Sequence, residues 1–474
     1  MFYISYTNSK YTVICGAQAG DEGKGKETNY LIHKAVKKRG PKNVVVISPN
    51  GGSNAGHTTK IRNKIYHTHF LPTGVLERGV INYCGNNKVL NPRSLMREIA
   101  ELSVDYPDLL NYVWFSERIH VTLLPQVIVD HGKMGSDRGT TKQGIGPTYA
   151  ARCFRTGLRL ADLLVLNEEQ LKVRLKDLYD SMGMMQFGEK DIVYSATNQD
   201  GQIINITRQQ LYTYEYDLES IRWIIKTLGP RIVPSGFFKK ELLKSRGKHY
   251  IFEMSNAFML DLTFGTYPDV TATSCVSGAI LESCGLSIQD TFKYNFKNNF
   301  ECIGVAKSYP TRVGKGVLPT LMVGEDAHIN DEIIVNGGEV GVTTGRPRRA
   351  AWPDACMLVA SANINGITRW NNTRGDNMEN CDTVKFCIGY KFPNGEIRYA
   401  HEFVDYPATI NELETVTPVY ITLDGWKGAN FSTVRSYKDL HPNFKKYLAA
   451  IKQYTGIPVK YVNTGQEQSQ IIEI

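Results

Sequence analysis

The sequence predicts an α/β fold: a large central, mainly parallel sheet with flanking helices, a helical insertion over about residues 165–250, and a P-loop-like phosphate cradle after the first strand. Three observations carry that prediction. Tyr11-Thr12-Val13-Ile14-Cys15 is a short β-branched run that ends in a glycine-rich turn, the pattern of a buried parallel strand. The stretch from Lys26 through Tyr30, Leu31 and Ile32 to Lys38 reads as a helix, and Asn43-Val44-Val45-Val46-Ile47-Ser48 as the next strand. Strand, turn, helix and strand make a βαβ unit, which requires parallel strands.

Further along, Asn167 to Met182 and Tyr214 to Leu228 read as helices, with a polar interruption at Thr197-Asn198-Gln199-Asp200-Gly201. These stretches are the expected helical insertion. Strand signals resume at His249-Tyr250-Ile251-Phe252, Cys302-Ile303-Gly304-Val305-Ala306, Val384 to Tyr390 and Val419-Tyr420-Ile421-Thr422. At roughly 150 residues per domain the length suits about three domains or one large fold. With no internal repeat, Pro-rich linker or low-complexity tract, residues 1–474 read as one interlocked domain.

Composition narrows the classes. The 474 residues are 42% hydrophobic and 22% charged, with 42 Gly and 19 Pro, which excludes collagen-like, coiled-coil and disordered chains. Lys and Arg number 55 against 47 Asp and Glu, a net charge of +8 with no long basic run. That balance favours small anionic ligands over nucleic acid. The nine cysteines are scattered without a CxxC pair, as in a reducing compartment. The first eight residues lack the pattern of a signal peptide, and no apolar run approaches the length of a membrane helix. A cytoplasmic protein with no membrane or nucleic-acid partner is expected.

Four glycine-rich loops carry the chemistry. Gly20-Asp21-Glu22-Gly23-Lys24-Gly25-Lys26 follows a strand and opens a helix, where backbone N–H groups and the helix dipole attract phosphate. It almost fits the GxxxxGK[ST] pattern, but Glu27 replaces the hydroxyl that an ordinary P-loop offers to Mg2+. Asp21 inside such a cradle repels phosphate unless a metal or a proton-transfer role compensates. Asn50 to Thr59, containing His57, lies just past the second strand, where α/β ligand crevices form. Gly139-Thr140-Thr141 to Tyr149, leading to Arg152, Arg155 and Arg159, suits a second phosphate, and Gly341 to Arg349 offers threonines and arginines to a carboxylate. Taken singly, each loop also reads as a solvated turn.

Together, in this order, these loops with Gly265-Thr266-Tyr267-Pro268 and Thr311-Arg312-Val313-Gly314 resemble the adenylosuccinate synthetase family from about residue 11 to the C-terminus. The resemblance implies a ligase that joins L-aspartate to C6 of IMP, using GTP and Mg2+, through a 6-phosphoryl-IMP intermediate. Asp21 matches the catalytic base, which is also a metal ligand, and Gly56 supplies a second metal ligand from its carbonyl. Lys24 matches the lysine on the transferred phosphoryl and His57 the group that stabilises its charge. For GTP the resemblance implies Gly20, Gly23, Gly25, Lys26 and Thr58, with Arg374, Asp376, Asn463 and Gly465 toward the base. For the purine nucleotide it implies Asn54, Thr141, Asn256, Thr271 and Arg155, the last acting on the partner's nucleotide in a homodimer. Thr343, Thr344, Arg346 and Arg348 match the aspartate loop.

The chain departs from the family around the bases. The family's Glu-Gly-Ala-Gln is Glu253-Met254-Ser255-Asn256, its tryptophan before the phosphate loop is Ala19, and Gln466 and Gln468 replace a proline and an arginine. Two acceptors therefore stay open: IMP, and a 2-amino purine nucleotide such as dGMP, with ATP as an alternative donor. A nucleotide-binding regulator without catalysis would be expected to lose Asp21, Lys24 or His57, and all three are present.

Overall fold

The computed structural model describes residues 9–132, 139–197, 203–243, 247–314, 316–339 and 347–474. Strand β1 (Lys10–Gly16) is buried along almost its whole length, which is why it reads as a continuous apolar run rather than an alternating one. Helix α1 (Lys24–Arg39) begins two residues before the expected start, because Gly23, at φ 92°, turns the chain into it. It buries Leu31, Ile32 and Ala35 against the sheet, carries Lys37, Lys38 and Arg39 in its last turn, where they complement the helix dipole, and stops at Gly40. Strand β2 (Val44–Gly51) is wholly buried.

An 11-stranded sheet organises the chain. Across it the order is Ile232–Val233, Val113–Ser116, Ile81–Leu90, β2, His249–Glu253, β1, Phe300–Lys307, Arg369–Thr373, Val459–Asn463 and Ile471–Glu473, with His120–Val121 pairing alongside Ile81–Leu90. Only the final strand runs antiparallel. The carboxyl ends of the central strands therefore share one rim, and ligands of open α/β sheets bind outside that rim.

The strands read at Val384 to Tyr390 and Val419 to Thr422 are present as Thr383–Lys391 and Thr417–Asp424, and with Ile397–Tyr399 they form a separate antiparallel sheet. One expectation is corrected. The segment at 165–250 is not purely helical. Helices Glu168–Ser181 and Glu215–Leu228 are present, but Ile192–Thr197 pairs with Ile203–Thr207 as a hairpin. Of the polar interruption read there, residues 198–201 lie outside the described residues. The segment also supplies the sheet's edge strand Ile232–Val233, and its Leu171, Leu175, Leu218 and Ile221 share a core with Phe70, Leu90 and Phe115. It packs as part of the fold rather than beside it.

Candidate active site

The cradle between β1 and α1 is shaped from within by a carboxylate. Glu22, 1% exposed, accepts hydrogen bonds on Oε1 from the backbone N–H groups of Gln18 (3.2 Å) and Gly20 (2.8 Å). Its Oε2 accepts from Lys24 Nζ at 2.9 Å. Burial works against the Lys24 ammonium, but Glu22 outweighs it and leaves the lysine's pKa raised. Lys24 is therefore a fixed cation at the mouth of the loop. Gly25 is required by close approach: a Cβ there would sit 2.9 Å from the Cβ of His57. Asp21 adopts φ 60°, a conformation that a non-glycine residue takes only under local constraint.

Beside the cradle lies a cavity of about 580 Å3. Gly20, Asp21, Lys24, Gly56, His57, Asn54, Thr141, Asn256, Thr271 and Arg348 all line it. The structure thus gathers the expected catalytic, metal and acceptor-nucleotide residues in one chamber, Arg155 excepted. Asn54 Nδ2 donates to Thr271 Oγ1 at 3.2 Å. Asn256, at φ 60°, holds a buried Oδ1 with no partner among the described residues, an acceptor left for a ligand. His57 is buried, with Nδ1 2.8 Å from Glu253 Oε1 and an Nε2 that has no partner among the described residues.

Charge on the far wall is organised by Glu339, which is fully buried. It accepts from Lys307 Nζ (2.9 Å), Tyr309 OH (2.8 Å) and Arg348 Nη1, with Arg374 Nε at 3.9 Å. Burial alone would raise this carboxyl, yet Lys307, Arg374 and Arg348 together hold it at about 2. Arg348 reaches onward through Nη2 to Asp21 Oδ2 at 2.5 Å, and its Nε has no partner among the described residues. Thr343, Thr344 and Arg346, the rest of the aspartate loop, lie outside the described residues.

The residues expected around the donor base form a second group, behind the cradle. Lys26 donates from Nζ to Gly465 O (2.6 Å) and Gln470 O (3.1 Å), tying the cradle to the C-terminal loop. Burial pushes its pKa down to about 7, opposed by the carboxylates of Asp376 and Glu27. Asp376 is raised by burial, and Asn463 is buried with Oδ1 unpartnered. Thr58 is exposed, its hydroxyl 3.2 Å from His67 Nδ1. Arg155 caps helix Ile145–Phe154 in a left-handed conformation, is exposed, and does not line the cavity of its own chain.

Glu22, Glu253, Glu339 and Lys307 were not assigned from the sequence. Glu22, Glu253 and Lys307 sit at or beyond the carboxyl end of a central strand and Glu339 follows helix Ala327–Gly337, but the pairing that gives each its meaning is long-range: Glu253 meets a loop 180 residues away in sequence. Only Glu22 carried a local signal, as a second carboxylate inside a phosphate loop. Among the described residues, one buried Asp/Cys group, Asp354 with Cys356 and Cys387, also stands out. Its carboxylate caps helix Ala355–Asn365 and accepts from Tyr390 OH, so its hydrogen-bonding capacity is used structurally.

A mainly parallel sheet with an acidic and basic chamber at its rim, fed by a phosphate cradle, defines a nucleotide-dependent enzyme. The chain belongs to the adenylosuccinate synthetase family, whose model, described as adenylosuccinate synthetase, matches residues 13–472. It is a ligase that forms a carbon–nitrogen bond. It is 35% identical over 466 residues to the adenylosuccinate synthetase of Caldanaerobacter subterraneus subsp. tengcongensis, covering 97% of this chain and 98% of that one. The enzyme of that name from Alkaliphilus metalliredigens is 34% identical over 465 residues, covering 97% and 98%. The structure superposes on fully ligated adenylosuccinate synthetase from Plasmodium falciparum with TM-score 0.80 and 30% identity, covering 98% of this chain and 99% of that one. A cyanophage S-2L succinoaminodeoxyadenylate synthetase bound to dGMP and dATP shares the fold, with TM-score 0.56 and 16% identity over 98% and 95% of the chains. Among the described residues no helix is long and apolar enough to cross a membrane.

Proposed function

We propose that the enzyme joins L-aspartate to C6 of IMP at the expense of GTP, through a 6-phosphoryl intermediate, in the chamber bounded by Asp21, Lys24, His57 and Arg348. The observation that carries this reading is the single cavity shared by the phosphate cradle and by Asn54, Thr141, Asn256 and Thr271. Asp21 takes the proton from N1 of the hypoxanthine, so that O6 becomes the nucleophile. The O6–phosphorus bond forms as the bond from phosphorus to the β,γ-bridging oxygen breaks, and GDP leaves. Lys24 and His57 bear on the phosphoryl oxygens, where charge is greatest during transfer. The aspartate amine then adds at C6 and loses protons, while the C6–O bond breaks and phosphate departs with O6. Arg348 offers its free Nε to the incoming carboxylate.

Mg2+ fits the donors present: a cavity-lining carboxylate, Asp21, and the backbone of Gly56 are oxygen ligands suited to a hard cation that also takes phosphate oxygens. Bound there, the ion neutralises phosphate charge and offsets the repulsion from Asp21. Asp376 is the acceptor pair for N1 and N2 of guanine, and Lys26, Arg374, Asn463 and Gly465 surround that base. Arg155, exposed and not lining its own chain's cavity, serves the nucleotide of a second protomer in a homodimer.

The test is product formation from L-aspartate, Mg2+ and IMP, dIMP, GMP or dGMP, with GTP or ATP as donor. IMP labelled with heavy oxygen at position 6 is expected to deliver its label to inorganic phosphate, and Asp21→Asn is expected to abolish turnover while nucleotides still bind. Preferential use of dGMP would move the reading to the 2-amino acceptor. Product without labelled phosphate would remove the 6-phosphoryl step.

A further inference from the structure

We infer that Glu27 is carried as the neutral carboxylic acid, closing a reciprocal pair with the amide of Asn371, and that this pair keeps negative charge out of the turn of α1 on which the donor phosphates rest; this deepens the GTP reading above and rests on it. Glu27 stands where an ordinary phosphate loop places a hydroxyl, and its side chain is fully buried. Its Oε2 accepts from Asn371 Nδ2 at 2.5 Å. The two atoms left on these groups, Glu27 Oε1 and Asn371 Oδ1, are both buried and have no partner among the described residues. An ionised carboxylate accepts only, so neither of these oxygens can then satisfy the other. One proton on Oε1 supplies a donor for Oδ1 and accounts for both atoms at once.

Among the described residues no cation lies within ion-pair distance of Glu27, and the charged groups that face it are engaged elsewhere. Lys26, on its own helix, donates to Gly465 O and Gln470 O. Lys460, in Val459–Asn463, lies 2.7 Å from Glu301 of the strand Phe300–Lys307. Glu301 itself and Glu473, in Ile471–Glu473, add negative charge, and the phenols of Tyr30 and Tyr461 face the carboxyl as well. Burial therefore outweighs Lys26 and Lys460 and pushes Glu27 up to about 8.

The pair joins the two ends of the donor site. Asn371 belongs to Arg369–Thr373, the strand that runs into Arg374 and Asp376, and Thr373 Oγ1 donates to the cradle at Glu22 O, 2.8 Å away. Glu27 lies in the first turn of α1, whose N–H groups and dipole attract phosphate. A carboxylate there would occupy the positive end of the helix and repel the donor phosphates, whereas the neutral acid leaves that end available. The dipole also favours ionising Glu27, but a fully buried, unpaired carboxylate costs more than a helix terminus offsets.

Glu27→Gln keeps the shape, offers its own amide to Asn371 and cannot ionise. With the carboxyl at about 8, its neutral fraction falls about fourfold between pH 7 and pH 8.5. The wild-type KM for GTP is therefore expected to rise about fourfold over that range relative to Glu27→Gln, while kcat and the KM values for IMP and aspartate change alike in the two proteins. Lys26, held at about 7 by burial, titrates in both proteins and largely cancels in the comparison. The plain alternative, a pair that only packs α1 against the sheet, gives the same GTP profile in both proteins, and that result would overturn the inference. A wild-type KM for GTP that does not rise over the range would overturn it even where Glu27→Gln fails to fold. Infrared spectra give a readout without turnover: the wild type is expected to show a protonated-carboxyl band at pH 7 that fades by pH 9.5 and is missing from Glu27→Gln, or from Glu27→Leu should the amide not fold. Absence of that band at pH 7 would overturn the inference. Should ATP replace GTP as donor, the guanine reading fails, and the same pH comparison made with ATP still judges the pair, because both nucleotides place phosphates on α1.

Discussion

Glu339→Gln is expected to destabilise the protein by about 3 kcal/mol at neutral pH, and the structure supplies the magnitude by two routes. First, the Glu339 carboxyl is held at about 2 against an ordinary 4.5. At about 1.4 kcal/mol per pH unit this difference is roughly 3 kcal/mol. Second, removing one member of a buried ion pair typically costs about 3–5 kcal/mol, because the other charge is left without compensation. That other charge is Lys307, fully buried and held by burial at about 8 against an ordinary 10.5. The folded value for Glu339 lies below the unfolded one, so its contribution is complete above about pH 4.5 and is lost as pH falls through about 2. Denaturant unfolding of both proteins at pH 7 and at pH 3.5 measures this: the gap is expected to narrow by about 1.4 kcal/mol at the lower pH. Glu339→Gln combined with Lys307→Met is expected to be more stable than Glu339→Gln alone. A loss below about 1 kcal/mol at pH 7, or a double variant no better than the single, would refute the reasoning.

Glu27 is buried, and burial pushes its pKa up to about 8. Its folded value lies above the unfolded one, so it costs stability increasingly as pH rises from about 4.5 to about 8; Glu27→Gln, able to keep the 2.5 Å bond from Asn371 Nδ2, is expected to raise the unfolding midpoint at pH 8 and to leave it unchanged at pH 4.5. GTP is expected to outperform ATP at least tenfold in kcat/KM, and Asp376→Asn to shrink that ratio, since a buried carboxylate facing adenine finds no pair of donors; equal use of both donors by the wild type would place the base elsewhere. Inactive Arg155→Leu mixed with inactive Asp21→Ala protein is expected to recover up to about a quarter of wild-type activity, as random subunit exchange makes half the dimers mixed and each of those holds one intact site of two. No recovery after demonstrated exchange would remove Arg155 from the partner's site.

What the sequence disclosed depended on whether a residue's meaning is local. β1, α1 and β2 were legible because two-faced burial writes unbroken apolar runs into the chain. The strand Ile81–Leu90 was not, because Asn82, Asn86, Asn87 and Lys88 interrupt it; the fold satisfies several of these by contacts that sequence cannot show, such as Lys88 Nζ to Ser48 Oγ at 2.6 Å and Asn82 Nδ2 to Val80 O at 2.9 Å. Arg369–Thr373, with two asparagines, was hidden for the same reason: Asn371 donates to Glu27 and Asn372 accepts from Ser308. In the candidate site, loops rich in glycine announced themselves, and the chamber unites Asp21, Lys24, Asn54, His57 and Arg348 as their motifs suggested. The carboxylates behind them did not, since Glu253 and Glu339 look like ordinary acidic residues until the fold brings His57, Lys307 and Arg348 to them.

Those carboxylates also separate roles that residue type alone leaves equivalent. Lys24, His57 and Arg348 line the cavity, and each has a carboxylate partner that is 1% exposed or less: Glu22, Glu253 and Glu339. Such an arrangement holds a cation in place before an anion arrives, so little reorganisation is needed when phosphoryl charge develops. It also disqualifies those three carboxylates as bases, because each is enclosed and saturated with donors. Asp21 differs on both counts: its side chain is 32% exposed, and among the described residues its ion-pair partner is Arg348, through Oδ2. A proton acceptor has to be reachable by the substrate and have a lone pair to spare. Of the four acidic side chains tied to these cavity cations, Asp21 alone meets both conditions, so burial and hydrogen-bond accounting support the proposal of Asp21 as the base independently of any motif.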